Sequence, residues 1–287
     1  MEHGNGTSVA EFVLLGLSQA WPVQLILFLL FILFYLLVLP GNVLIILTIQ
    51  GDPSLGCPMY FLLANLAFLD ICYSSITPPK MLANLLYEHK TISYMGCMAQ
   101  LFFLHFLGAA EMFLLVAMAY DRFIAICKPL HYMSLVSRRV CYALVGTAWT
   151  GGFLHATILV GLTIHLPFCG PNVLDNFFCD VHQVIRLACT NTYTVELVTF
   201  ANNGLTKEMM GKAAYTCITH IIVIFVMFCP AIYLYTRPFR TFPMDKVIAV
   251  FHTVIFPLLN PMIYTFRNKE IINSIKKLLE FTICKLK

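Results

Sequence analysis

Residues 101–127, LFFLHFLGAAEMFLLVAMAYDRFIAIC, decide the fold. Ahead of the Asp121-Arg122 pair they are apolar apart from His105 and Glu111, and the run matches the roughly 20 residues a helix needs to cross hydrocarbon. The charged pair that closes the run belongs at a membrane face. Taken alone it reads as a snorkelling interfacial anchor, the commoner fate of charges at helix ends. Its neighbours decide between that reading and a functional one.

Composition places the whole chain in the same setting. Its 287 residues are 60% hydrophobic and 11% charged, with a mean hydropathy of +0.82, whereas soluble domains carry about a quarter charged residues. This is an integral membrane protein whose first partner is the lipid bilayer. A formal charge of +4 is too small to imply nucleic acid, and the basic residues lie between apolar runs, where they report orientation. Residues 1–20 lack a basic n-region, so the first span is expected to act as its own targeting signal. Asn5-Gly6-Thr7 fits the glycosylation acceptor pattern, which has meaning only if the amino terminus faces the lumen. Of 11 cysteines, Cys72, Cys127, Cys217 and Cys229 sit in apolar runs as small hydrophobes. Cys97, Cys169, Cys179 and Cys189 sit in polar connections, and in an oxidising compartment these four allow two disulfides in any of three pairings.

Working outward, Pro22 opens a span over about 23–49, broken by Gly51-Asp52-Pro53, and Pro58 opens a second over 58–86 that is expected to kink at Pro78-Pro79. Asp70 lies near mid-membrane in that span, where a carboxylate is costly and is a functional candidate by default. The third span covers 97–127 and the fourth 140–164. Arg122, Lys128, Arg138 and Arg139 outweigh Asp121 between them, so that loop is expected to be cytoplasmic and residues 1–22 extracellular. A long connection with three cysteines follows, a length that marks a functional or stapled loop. Two further runs cover 213–235 and 247–266, completing a membrane bundle over 23–266. Residues 267–287 form a cytoplasmic tail with an amphipathic helix, Ile271, Ile272, Ile275, Leu278, Leu279 and Ile283 on one face and Lys276, Lys277 and Glu280 on the other.

Several separate motifs stand in a fixed order along this frame. They are Gly41-Asn42, Pro58-Met59-Tyr60-Phe61-Leu62 with Asp70, and Met118-Ala119-Tyr120-Asp121-Arg122 through Cys127-Lys128-Pro129-Leu130-His131-Tyr132. Lys212-Ala213 with Thr216-Cys217 and His220 follows, then Pro257-Leu258-Leu259-Asn260-Pro261-Met262-Ile263-Tyr264. Over nearly its whole length the chain resembles an olfactory (odorant) receptor of the rhodopsin-like, G-protein-coupled class. The resemblance implies an all-α, seven-helix receptor bundle at the plasma membrane, a small hydrophobic volatile odorant as ligand, and a heterotrimeric G protein acting through cyclic-nucleotide signalling as partner.

The resemblance also assigns residues. Tyr120, Asp121 and Arg122 become a switch in which Arg122 leaves Asp121 for the G protein. Leu104, His105, Gly108, Ala109 and Met112, at helical spacing, face the ligand cavity with Phe228, Ile232 and Tyr235. Gly108 and Ala109 read equally well as small residues for close helix packing, and His105 as a hydrogen-bonding histidine between helices. By helical rise Glu111 sits about 16 Å deeper than Arg122, at the depth of Asp70. The two carboxylates share a proton or, with Asn42 and Asn260, bind a cation, which in related receptors is sodium. The family pairs Cys97 with Cys179, leaving Cys169 for Cys189, and makes Pro261 with Tyr264 the inner hinge of the last helix.

One stretch departs from the pattern. Between Glu196 and Lys212, where the family starts its fifth helix, only residues 197–211 intervene, interrupted by Asn202-Asn203-Gly204 and Lys207-Glu208. Six strong spans remain and 196–211 is a residual fifth, expected to cross as a short, distorted segment. Two rival readings follow: a truncated, non-signalling receptor, and a small transporter or channel suggested by the paired carboxylates. No nucleotide loop, metal-ligand spacing or catalytic triad is visible, so neither an enzyme nor a cofactor is expected.

Overall fold

A computed structural model describes residues 9–87, 90–169, 172–193, 195–198, 243–255, 257–260 and 268–286. The residual segment 196–211 beyond residue 198, the 213–235 run, and the candidate residues Asn5, Phe228, Ile232, Tyr235, Pro261 and Tyr264 lie outside the described residues.

Helix α1 (Trp21–Gly51) begins with Pro22 in its first turn, where the missing N–H costs nothing. Ile26, Leu29, Leu33 and Leu36 stay exposed along it, as a helix apolar on all sides requires in lipid. The next span is two helices, α2 (Pro58–Ser74) and α3 (Pro78–Leu86). Pro78 and Pro79 remove two N–H groups from the ladder between them, and the hydroxyls of Ser74 and Ser75 donate back to the Ile71 carbonyl at the break. Helix α4 (Tyr94–Cys127) is capped by Ser93, whose Oγ accepts from Gly96 N–H at 3.1 Å. A one-turn α5 (Tyr132–Leu135) leads to α6 (Arg138–Ile164), capped by Ser137. Four spans long and apolar enough to cross a membrane thus stand among the described residues.

Leucines 62, 63, 66 and 69 of α2 pack with Leu114, Leu115 and Met118 of α4 in the main core. The α4–α6 contact is closer still. A Cβ at Gly152 would fall 2.5 Å from the Phe106 carbonyl oxygen, so only glycine lets the two backbones meet there. Gly108 has no such duty, since a Cβ on it would rest 3.6 Å from the Tyr73 ring.

At one end of the bundle lies a sheet that the sequence reading did not assign. Strand β1 (Glu11–Leu14) is central, antiparallel to β2 (Thr91–Ser93) and parallel to β3 (Val173–Leu174). Phe12 and Leu14 alternate inward and anchor a second core with Val184, Ile185 and Val195, beside the short α7 (Val181–Arg186). Helix α8 (Pro243–Val250) starts at this sheet end, where Lys246 Nζ meets Asp175 Oδ1 at 2.6 Å and the Gly16 carbonyl at 3.0 Å. A π-helical turn (Phe251–Ile255) follows it. Helix α9 (Lys269–Leu286) lies at the opposite, Arg122 end: Ile271 is fully buried in the main core, and Ser274 Oγ donates to Asp52 Oδ2 at 2.7 Å.

Candidate functional site

At the Arg122 end, Asp121 is wholly buried and both its oxygens are engaged. Arg122 donates from Nε and Nη2 to Oδ2, at 2.9 and 2.5 Å, while Tyr132 donates its hydroxyl to Oδ1 at 2.8 Å. Charge-assisted bonds of this kind are the strong ones. Cys57 Sγ lies 3.6 Å from the same Tyr132 oxygen, so the network reaches from the α1–α2 turn to α5. Burial, then the bond to Asp121, hold the Tyr132 phenol well above its ordinary range, and it remains a donor. Tyr120 takes no part in the network and is exposed. Tyr132 lies eleven positions after Asp121 in a motif quoted for the family, but its role depends on how the loop folds back.

Deep in the bundle, Asn260 Nδ2 donates to Asp70 Oδ1 at 3.1 Å and to Glu111 Oε1 at 2.8 Å. All three side chains are buried. Asn42 is bonded elsewhere: its amide donates to the Val38 carbonyl at 3.1 Å and, more weakly, to that of Pro257 at 3.5 Å. Both amide hydrogens of Asn42 therefore have backbone acceptors, and neither goes to the carboxylates. Asp70 Oδ2, Asn42 Oδ1 and Asn260 Oδ1 are buried without a hydrogen-bond partner. A donor set of oxygens alone suits a proton shared between acids or a hard cation. Among the described residues no three His, Cys, Asp or Glu side chains gather as a metal site.

Toward the sheet end, Leu104 is buried in the main core and His105, Gly108, Ala109 and Met112 are half-buried. The His105 ring centroid lies 5.7 Å from that of His155 on α6, a neighbour no periodicity within α4 indicates. Above them the loop after α6 is fastened to α4: Cys97 and Cys179 are joined at 2.06 Å, and the Cys179 amide donates to Gln100 Oε1 at 2.9 Å. Cys169 and Cys189 are joined as well.

A family model described as olfactory receptor matches residues 31–201 and 193–281, its two pieces meeting at the stretch where residues 197–211 intervene. The chain is 56% identical to human olfactory receptor 4N5 over 97% of this chain and 98% of that one. It is 53% identical to mouse olfactory receptor 4M1 over the whole of both, and 48% identical to human olfactory receptor 4D1 over 97% of each. The alignment with mouse 4M1 runs over 313 positions against the 287 residues here, so about 26 positions of that relative have no counterpart.

Proposed function

This chain belongs to the olfactory receptor family, rhodopsin-like seven-helix receptors of the plasma membrane and not enzymes, and on that premise we propose that it binds a small hydrophobic odorant and activates a heterotrimeric G protein. The observation that carries the proposal is the Arg122–Asp121–Tyr132 network beside an apolar loop, with Leu130 95% and Met133 72% exposed. Exposed apolar residues next to a buried charged pair are what a protein partner needs to dock and draw the arginine away. Arg122→Ala that reaches the surface is expected to lose the odorant-evoked cyclic-nucleotide rise. An undiminished response would remove the switch.

Orientation and the fifth crossing are proposed together, with the sheet end outside and the Arg122 end in the cytoplasm. Basic residues support this: Arg122, Lys128, Arg138 and Arg139 share the Arg122 end. Val195 packs in the sheet-end core and Lys246 bonds to Asp175, so the chain leaves and re-enters the described residues at one face. Between two points on one face a chain crosses the bilayer an even number of times. If 213–235 is one crossing, 197–211 supplies the other, and its reach of about 23 Å at ~1.5 Å per residue obliges the bilayer to thin against it. Glycosylation of Asn5, and its absence from a tag placed after Lys287, is the expected pattern; a modified tag would reverse the last span.

Leu104, His105, Gly108, Ala109 and Met112, with Phe228, Ile232 and Tyr235, are proposed to line the odorant cavity. Asp70, Glu111 and Asn260 are proposed as the intramembrane proton or sodium site, and a thermal midpoint that rises with sodium at constant ionic strength would favour the ion. The missing positions favour one second reading, a receptor that folds but does not signal, which an odorant-bound yet silent protein would identify. A transporter or channel, suggested by the paired carboxylates, would instead carry ions in vesicles.

A further inference from the structure

A groove of about 400 Å³ opens between α1, α2 and α6 near the Arg122 end, away from the proposed odorant cavity. Its walls are mostly apolar, with Ile46 and Ile49 from α1 facing Phe61 and Phe68 from α2, and Gln50 and Asn65 also in the lining. At its mouth stand Arg138 and the exposed Tyr142, whose ring packs edge-on against Phe61 at 5.0 Å. The lining contains no carboxylate, and Arg138 makes no hydrogen bond or ion pair among the described residues. Of the acids at this end, Asp121 is engaged by Arg122 and Tyr132, Asp52 by Ser54 and Ser274 and Glu270 by Tyr60, which leaves Glu280 exposed on α9. Arg138, itself exposed, thus has no carboxylate partner among the described residues, and its charge is open to a group from outside the protein.

We propose that this groove is a site for an anionic phospholipid of the inner leaflet, one acyl chain against the apolar walls and the headgroup on Arg138. A basic pocket between membrane helices on the cytoplasmic side has the chemistry for such a headgroup, and a groove with one cation beside apolar walls discriminates by charge where apolar walls alone do not. The inference rests on the orientation proposed above for its choice of leaflet. The groove also borders the switch, because Cys57 lines it and touches Tyr132.

The chain has two tryptophans, Trp21 and Trp149, and the Trp149 ring centroid lies 6.1 Å from that of the groove residue Phe68. In a Trp21→Phe background Trp149 becomes the only indole reporter. The protein is placed in phosphatidylcholine nanodiscs, whose two faces are equivalent, so a negative result here is separate from an error in topology. Bromine-labelled phosphatidylserine is expected to reach half-maximal quenching of Trp149 at about fivefold lower mole fraction than bromine-labelled phosphatidylcholine, the effect of one basic residue at an anionic headgroup. Arg138→Gln should bring the two lipids together, while Arg138→Lys, which keeps the charge, and Arg139→Gln, outside the groove, should keep them apart. Equal quenching by both lipids, a preference that survives Arg138→Gln, or displacement of labelled phosphatidylserine by cholesterol would each overturn the proposal.

Discussion

The two ends of the bundle are held by different forces. At the sheet end, two disulfides, a three-stranded sheet and the Lys246–Asp175 pair tie together the amino-terminal strand, the loop before α4, the loop after α6 and the start of α8. At the Arg122 end there is no covalent tie among the described residues. Asp121 is held by three hydrogen bonds, and α9 by Ile271, Ser274 and the contact of Tyr60 with Glu270 and Asn268. Hydrogen bonds to charged groups contribute about 1.5–3 kcal/mol each, a range a docking partner can match. A cross-link does not yield to such a partner. The sheet end is thus held in one shape, while the bonds at the Arg122 end are weak enough to be exchanged for a partner's.

The comparison breaks most readily at Cys179→Ser. Loss of a native disulfide costs about 2–5 kcal/mol, a large share of an ordinary stability of about 5–15 kcal/mol, and flow cytometry should find little receptor at the surface. Cys169→Ser opens a link spanning 20 positions rather than 82. By chain entropy its cost is lower by roughly 1 kcal/mol, so surface delivery should fall less; an equal fall would mean that the sheet end is not held by loop closure.

Tyr132→Phe sharpens the contrast from the other side. It removes one bond to the buried Asp121, about 1.5–3 kcal/mol, and is expected to raise the ligand-independent cyclic-nucleotide level with surface delivery retained. An unchanged basal level would show that the Asp121 network is not the brake. Lys246→Ala removes a partly exposed ion pair contributing about 0.2–1 kcal/mol. The drop in thermal midpoint should be small and should shrink further at about 1 M salt, where the Debye length is about 3 Å.

The smallest effect is a pH response at Asp52. Bonds from Ser54 and Ser274 lower its carboxyl to about 2 from an ordinary 3.8. A depressed carboxylate stabilises the docked tail fully above the ordinary value, and that contribution is lost as pH falls through the lowered one. Hydrogen-exchange protection at the start of α9 should therefore be unchanged between pH 7 and pH 4. Loss of protection before pH 4 would mean that Asp52 does not hold the tail.

Much of this arrangement is legible one segment at a time. Each long span is a continuous apolar run, a property of local composition. Helical rise alone puts Glu111 at the depth of Asp70, and a single amide, Asn260, bonds to both. The inward alternation of Phe12 and Leu14 is visible in the chain as a period of two, but four residues of period two before a membrane span name no partner strand. Tyr132, His155 and Gln100 escape for the same reason: each meets its partner across a gap of loop or helix that no spacing measures. Asn42 shows the converse, a residue well placed by depth whose donor goes to its own helix.

By itself the sequence determined the membrane setting, four of the long spans, the family and the charged pair at the end of α4, because hydropathy and motif order are local and survive without coordinates. The tertiary structure decided what those pieces touch. It put Tyr132 on Asp121, Lys246 at the sheet end and the tail at the opposite one, and left Arg138 unpaired among the described residues beside a mostly apolar groove. Such contacts join residues far apart in the chain, and they form only when packing, not sequence distance, brings opposite charges and unsatisfied polar groups together.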